Sequence, residues 1–314
     1  MKVLVTGATG AVGGQLVPQL VDAGHAVVAT TTSESKTARL RAAGAEPIVL
    51  DVLDAAAVRD AVSRTRPDVI VHQATALAGN LTLRKVDKDF AVTNRLRTHG
   101  TDNLLAAAAE FGVRRFVAQS AMQVLYARSG GPVKAEDAPL DTHPAPGSEL
   151  TLAAIVYLEH AVTSAPGIDG IVLRYGGFYG PGTSIELGGE QLELVLKRRF
   201  PVVGGGGGVW SFTHVADAAG AAVAAVERGA PGIYNIVDDE PARLAEWLPE
   251  LALLAGAKKP MNVPRWVGRL LAGEFIAMAS TEIRGASNAK VKKELDWTPR
   301  HPSWRQGFAE MLHR

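Results

Sequence analysis

The chain has no cysteine among its 314 residues, which excludes a disulfide framework, a thiolate nucleophile, a zinc ribbon and an iron–sulfur cluster. That fits a reducing compartment. Charge of one sign is also scarce. Basic and acidic side chains number 33 and 32, the formal net charge is +1, and like charges never run to a block. No global field therefore draws the protein to nucleic acid or to an anionic membrane. Long apolar runs are missing too. The start, Met1 to Gly7, offers about four apolar residues before glycine, too few for the core of a signal peptide. The later stretch Leu244 to Ala257 is interrupted by Glu246, Pro249 and Glu250, short of the roughly 18 residues of a membrane helix. The expectation is a cytoplasmic protein with no membrane or nucleic-acid partner. What is present is ordinary for a globular protein: 47% hydrophobic and 21% charged residues, enough to bury a core and to exclude disorder as the main state.

Short apolar runs alternate with segments of helical period, the pattern of βαβ units and a parallel sheet. Strands are expected at Lys2 to Thr6, Ala26 to Thr30, Pro47 to Leu50, Asp68 to His72, Arg115 to Ser120 and Ile171 to Tyr175. Between them, helices are expected from Gly10 to Ala23, from Ser33 or Ser35 to Ala43, after Asp51 or Asp54, from Lys88 to Phe111, and from Leu150 to Thr163. After Tyr175 glycine crowds in and the repeating units stop. The expected fold is α/β, a Rossmann-type doubly wound parallel sheet with a smaller, mostly helical C-terminal substrate region. Residues 1–176 form the dinucleotide-binding part and 209–239 return to it, while 177–208 and 240–314 form the substrate cap. The Gly204 to Gly208 run lacks a helix start behind it and reads as a flexible turn, not a phosphate cradle.

The first strand runs straight into Thr6-Gly7-Ala8-Thr9-Gly10-Ala11-Val12-Gly13. In that position Gly7 allows the tight turn, Gly10 lets backbone N–H groups approach a pyrophosphate, and Gly13 lets the helix pack closely on the strand. A carboxylate at the end of the second strand would bind the adenine ribose 2′-hydroxyl and repel a 2′-phosphate. None stands there. Thr31, Thr32 and Ser33 offer hydroxyls, and Lys36 and Arg39 follow, so NADPH is expected in preference to NADH. The alternative for Lys36 and Arg39 is a solvated helix face. Asp51 with Val52 is a candidate for holding the adenine, although a helix cap would look the same.

Further motifs follow in order: VHQATA at Val71 to Ala76, GTDNLLAAA at Gly100 to Ala108, RRFVAQSA at Arg114 to Ala121, VLRYGGFYGPG at Val172 to Gly182, FTHVADAA at Phe212 to Ala219, and LDWTP at Leu295 to Pro299. Together with TGATGAVG at Thr6 to Gly13, they resemble the extended short-chain dehydrogenase/reductase family over nearly the whole chain. The resemblance implies that Gly7, Thr9, Gly10, Ala11 and Val12 contact the cofactor pyrophosphate. It likewise implies that Gln73, Ala74 and Thr75 line the nicotinamide side, that Ser120 is the active-site serine, and that Tyr175 and Gly176 lie near the nicotinamide carboxamide. Gln73 as a strand-end polar residue and Tyr175 as a core residue are the plainer alternatives. Where that family usually has a structural asparagine, this chain has Arg97, and Asn94 is left without a clear role.

The departure from that family concerns its general acid, a tyrosine four residues before a lysine, which shares one helix face with it. Taking Tyr157 as the tyrosine puts Ala161 at the lysine position. Aligning Glu159 with the family's downstream glutamate puts Thr151 and Ile155 at the two positions, and this register is preferred. Tyr157 then lies about 200° around the helix from Ile155 and faces away from the cofactor. Ser120 and Thr151 remain as the candidate catalytic hydroxyls, with the proton coming from water or substrate. A carbonyl conjugated with a phenol or quinone-like ring suits such a site, and Trp210, Trp247, Trp266 and Phe275 are candidates to line an apolar pocket for it. The leading expectation is an NADPH-dependent ketone reductase acting on a polycyclic or aromatic metabolite, with a homodimer built on the Lys88 to Phe111 and Leu150 to Thr163 helices. The alternatives are a nucleotide-sugar epimerase or dehydratase, and a non-catalytic NADP(H)-binding sensor. A Ser/His hydrolase is disfavoured because no G-x-S-x-G surrounds Ser120. No metal is expected, since the eight histidines are scattered and His214 reads as a residue that holds a loop.

Overall fold

A computed structural model describes residues 1–77, 83–122 and 125–313. Seven parallel strands form the central sheet: β1 (Lys2–Thr6), β2 (Ala26–Thr31), β3 (Glu46–Val49), β4 (Val69–His72), β5 (Arg115–Ala121), β6 (Asp169–Tyr175) and β7 (Gly232–Ile236), in the order β7-β6-β5-β4-β1-β2-β3. The order reverses between β1 and β4, where Thr6 pairs with His72. In such a sheet the crevice outside the carboxyl ends at the reversal is the place for a ligand. This is the Rossmann-type α/β architecture expected from the alternation of runs.

Side-chain alternation along the strands divides the core. Val3 and Val5 face helix α1 (Ala11–Asp22), while Leu4 faces the other way. Two more helices, α2 (Thr101–Phe111) and α3 (Glu149–Thr163), cover Leu4, Ile70 and Phe116 through Leu104, Leu158 and Val162. On the first face, α4 (Val215–Glu227) lies against α1 through Ala218, Ala221, Ala222 and Ala225. Both faces are thus buried, as a parallel sheet requires. A third cluster, with Tyr179, Phe212, Trp247, Trp304 and Phe308, holds the smaller region together.

Several expectations are corrected. The helix expected from Lys88 to Phe111 is built in pieces, Val86–Asp89, Ala91–Arg95 and a π turn Leu96–Gly100, before α2 begins. Asp54, not Asp51, caps the helix Ala55–Thr65, its carboxylate accepting from Ala57 N–H at 3.0 Å. The chain does return to the sheet through α4 and β7. The last 70 or so residues are not wholly cap, however, because Val291, Leu295 and Trp297 join the core around α1 and α4. The Gly204 to Gly208 run turns tightly but is packed, with Gly208 lying against the Ala279 carbonyl. Among the described residues no helix is long and apolar enough to cross a membrane.

Candidate active site

The loop after β1 is built for close approach of a ligand to backbone. Gly7 has φ +70°, and a Cβ there would lie 2.5 Å from the Gln73 carbonyl oxygen; a Cβ on Gly13 would lie 2.2 Å from the Gly7 oxygen. Helix α1 starts at Gly10 with no side-chain cap, leaving its first N–H groups and the positive end of its dipole facing outward. That is an anion cradle. Gly7, Thr9, Gly10, Ala11 and Val12 all lie on this loop and first turn, with the Val12 side chain buried, so only its backbone faces a ligand. Gly182, from the segment after β6, comes against Ala11 and closes the cradle's far side.

At the end of β2, Thr31 is buried and its Oγ1 accepts from Ser33 N–H at 3.2 Å, while Thr32 is exposed and Ser33 shares a hydrogen bond with Ser35. Lys36 is exposed. The Arg39 guanidinium reaches back over the first turn of α1, 3.1 Å from where a Cβ on Gly14 would stand. Neither cation has an ion pair among the described residues. Asp51 is exposed and accepts from Leu53 N–H at 2.9 Å in a local turn, and the buried Val52 accepts from Asn103 through its carbonyl at 3.0 Å.

The carboxyl end of β4 carries Gln73, buried, then Ala74 and the exposed Thr75. Gln73 donates its backbone N–H to Thr6 and its side-chain amide to the Tyr175 hydroxyl at 3.4 Å, and its Oε1 is buried without a partner. Tyr175 and Gly176 are both buried, Tyr175 as the core residue that was its plainer alternative. The Tyr175 ring is inside the core on the α1–α4 face, its hydroxyl donating to the Ala218 carbonyl, and burial drives its pKa far above the ordinary phenol value. Gly176 is buried with its N–H donated to Ile236 and Thr213.

The two candidate catalytic hydroxyls are engaged in hydrogen bonds of the fold. Ser120, 1% exposed, donates to Glu159 Oε1 at 2.7 Å. Glu159 is held in turn by Arg174 at 2.8 and 2.7 Å, and Arg174 also donates to the Tyr126 hydroxyl, which donates to Asn235. Ser120 therefore belongs to a buried network between β5, β6, β7 and α3. Thr151 donates its hydroxyl and its N–H to Asp87, both at 2.8 Å, and accepts from Asn94 at 3.1 Å. This gives Asn94 the role its sequence position leaves open. Tyr157 is exposed, with its hydroxyl on Asp102 of α2, and Ile155 is buried beside Leu125 and Leu152. His72 is no acid either. Buried between Thr6 Oγ1 and the Leu96 carbonyl, it is pulled down to about 4, chiefly by desolvation. Sequence reading took Arg97 only as a replacement for asparagine; it is a buried cation on the π turn.

The histidines are less scattered than their positions suggest. His214, Asp217 and His301 meet, with the two rings stacked 3.9 Å apart. Their ligating atoms serve the fold. His214 Nδ1 caps α4 by accepting from Ala216, and Asp217 accepts from Arg300 N–H, His301 N–H and His301 Nδ1. Of the aromatic residues expected to line a pocket, Trp247 is core, Trp210 and Phe275 are half-buried, and Trp266 is 67% exposed.

The family model described as the NAD dependent epimerase/dehydratase family matches residues 3–237. A Streptomyces sp. protein named 3-diazoavenalumate denitrifying reductase is 46% identical over 98% of this chain and 99% of its own. A Stigmatella aurantiaca protein named 4-hydroxy-2-methyl-3-oxo-4-farnesyl-3,4-dihydroquinoline-1-oxide ketoreductase is 29% identical over 87% of this chain and 79% of its own. The Thermus thermophilus UDP-glucose 4-epimerase in complex with NAD superposes with a TM-score of 0.75 at 25% identity, over 100% of this chain and 98% of its own.

Proposed function

Because the chain belongs to the NAD dependent epimerase/dehydratase family, whose members use a nicotinamide cofactor, we propose that it is an NADPH-dependent reductase of an aromatic metabolite and that its reaction draws no proton from the protein. A diazo-bearing arene is the leading acceptor. One observation carries this reading: the hydroxyls at both candidate positions point their protons at carboxylates, Ser120 at the buried Glu159 and Thr151 at the half-buried Asp87. The lysine position holds Ile155.

The Gly7 and Gly13 cradle fits the pyrophosphate of such a cofactor, because any Cβ there would fill the space that backbone N–H groups need for approach. Bound there, the reduced nicotinamide supplies a hydride. With the acceptor in its aryl diazonium form, Ar–N2+, replacement of the diazo group by hydrogen takes up that one hydride, breaks the C–N bond, forms a C–H bond and releases N2, with no further proton needed. A ketone takes up a proton as well. The diazo compound in the name of the 46% identical relative supports the first reading, and the ketoreductase supports a ring-conjugated ketone as the second. Nucleotide-sugar chemistry begins by oxidising an unactivated alcohol, for which a strong base is wanted. Preference for the 2′-phosphate rests on the missing carboxylate after β2 and on Arg39 and Lys36 nearby. Arg84, Lys85 and Lys88, with one carboxylate, Asp89, and Gly273, line a cavity of about 660 Å³ next to the helix that exposes Trp266 and Leu270. That combination suits a flat apolar acceptor with an anionic end.

The test is the loss of reduced-nicotinamide absorbance when the purified protein meets NADPH with a diazo-bearing aromatic carboxylate or with aromatic ketones. One N2 released per NADPH consumed is the expected result. Consumption with ketones alone moves the reaction to the second reading, and binding without turnover on any acceptor makes the protein a sensor.

A further inference from the structure

The face of α3 that covers the sheet carries Thr151, Ile155 and Glu159 at four-residue spacing. Opposite it run Asn94 and, three residues on, Arg97. Asn94 is bonded to Thr151, and further along the same stretch Asp102 accepts from the Tyr157 hydroxyl. Arg97, between Asn94 and Asp102 in the chain, therefore stands between the levels of Thr151 and Tyr157, where Ile155 lies.

Its surroundings are unusual for a cation. Arg97 is 4% exposed, its Nη1 is buried with no hydrogen-bond partner, and it has no ion pair among the described residues. Glu159 does not neutralise it, since both Glu159 oxygens are taken by Arg174 and one also by Ser120. The two arginines and one glutamate leave a net positive charge in the interior, an arrangement that costs stability unless something else answers it. The residue stands on the π turn Leu96–Gly100, and such turns recur at functional sites. Its chain neighbour Leu96 accepts through its carbonyl from His72 at 3.2 Å, which ends β4 beside Gln73 and is bonded to Thr6, the residue before Gly7.

We propose that Arg97 supplies, from the facing helix, the buried positive charge that Ile155 leaves out, and that it thereby makes the pocket favour the reduced over the oxidised nicotinamide cofactor. Arg97 acts here as a positioning and selectivity residue. The oxidised ring carries a positive charge and the reduced ring does not, so a fixed cation beneath the site penalises only the oxidised form. A unit charge about 10 Å away at an effective dielectric near 20 is worth on the order of tenfold in affinity. A reductase with this bias loads NADPH and sheds NADP+ after transfer. The inference rests on the nicotinamide site of the proposed reading and not on its acceptor.

The test is calorimetric titration of the wild-type protein, Arg97→Met and Arg97→Lys with NADPH and with NADP+, without any acceptor. The wild type is expected to prefer NADPH, Arg97→Met to lose about tenfold of that preference, and Arg97→Lys to keep it. The melting point of Arg97→Met should hold or rise, because an unpaired buried charge has been removed. If Arg97→Met does not fold, Arg97→Gln is read in the same way. An affinity ratio unchanged by loss of the charge overturns the inference, as does binding of neither form by the wild type. Failure to turn over diazo or ketone acceptors overturns the functional reading and leaves this ratio intact.

Discussion

Replacing Ser120 with alanine separates a structural serine from a catalytic one. The hydroxyl is buried and donates to Glu159 Oε1 at 2.7 Å, while Arg174 keeps its two bonds to the same carboxylate. A hydrogen bond to a charged group is worth about 1.5–3 kcal/mol. With the carboxylate still held by the guanidinium, Ser120→Ala should fall near the lower end, about 1.5–2 kcal/mol. At about 2–4 °C per kcal/mol for a chain somewhat smaller than this one, the melting point should drop by roughly 3–8 °C. Turnover should change by less than about threefold. An oxyanion donor behaves in the opposite way, since its removal costs about 100- to 1,000-fold in kcat and need not touch stability. Thermal melts beside steady-state NADPH oxidation decide the matter. A loss of kcat near 100-fold with an unchanged melting point would refute the assignment of Ser120 to the Glu159 network.

Other perturbations follow from the same geometry. Arg174→Met leaves Glu159 buried without its cation and should cost about 3–5 kcal/mol in denaturant unfolding, the largest loss expected of any single change in that network. Gly13→Ala drives a Cβ to 2.2 Å from the Gly7 oxygen; overpacking of about 1–3 kcal/mol should weaken cofactor binding roughly 10- to 100-fold by titration. Arg39→Ala should weaken NADPH by a similar factor, the worth of a charge-assisted bond of about 1.5–3 kcal/mol, and leave NADH where it was. Burial pushes the Asp238 carboxyl from 3.8 up to about 8, against the backbone N–H groups of Glu240, Trp304 and Phe212 that hold it down. A raised carboxyl holds its proton in the folded state, so its contribution to stability is complete below about pH 4 and is lost as pH rises to about 8, by up to about 1.4 kcal/mol per pH unit. Asp238→Asn should flatten that slope in melts across the range.

The nucleotide loop was legible in the sequence because it depends on local backbone sterics. A positive φ at Gly7 and the absence of a Cβ at Gly13 are requirements of one short segment, and the glycine spacing states them directly. The strands and the return of α4 and β7 to the sheet were legible for the same reason, through period and turn residues. The site's hydroxyls were not. Ser120 and Glu159 are 39 residues apart, and Thr151 and Asp87 are 64 apart, so their bonds exist only after β5, α3 and the helix before the π turn are assembled. Tyr175 has a local signal for its core alternative. On β6 it alternates with Arg174 and shares a face with Ile171 and Leu173, which are core residues, so strand period alone points its ring into the α1–α4 layer. The meeting of His214 with His301, 87 positions away, has no local signal at all.

The committed hydroxyls also bear on which chemistry the pocket can serve. A hydroxyl that stabilises a developing oxyanion must aim its proton at a place where charge is about to appear. In this protein both protons are aimed at charges that already exist, Glu159 and Asp87. For Ser120 to turn toward a substrate carbonyl, Glu159 would lose a donor inside the core, a penalty of about 1–3 kcal/mol set against a bond to a neutral acceptor. Thr151 faces the same choice, with the added loss of a link that ties α3 to the helix Val86–Asp89. An acceptor that takes its proton from either hydroxyl must therefore break the fold's own hydrogen bonds, and otherwise the proton comes from water or from the acceptor itself, whereas an acceptor that expels N2 asks for none. The proposed delivery of hydride alone leaves both of these hydrogen bonds in place.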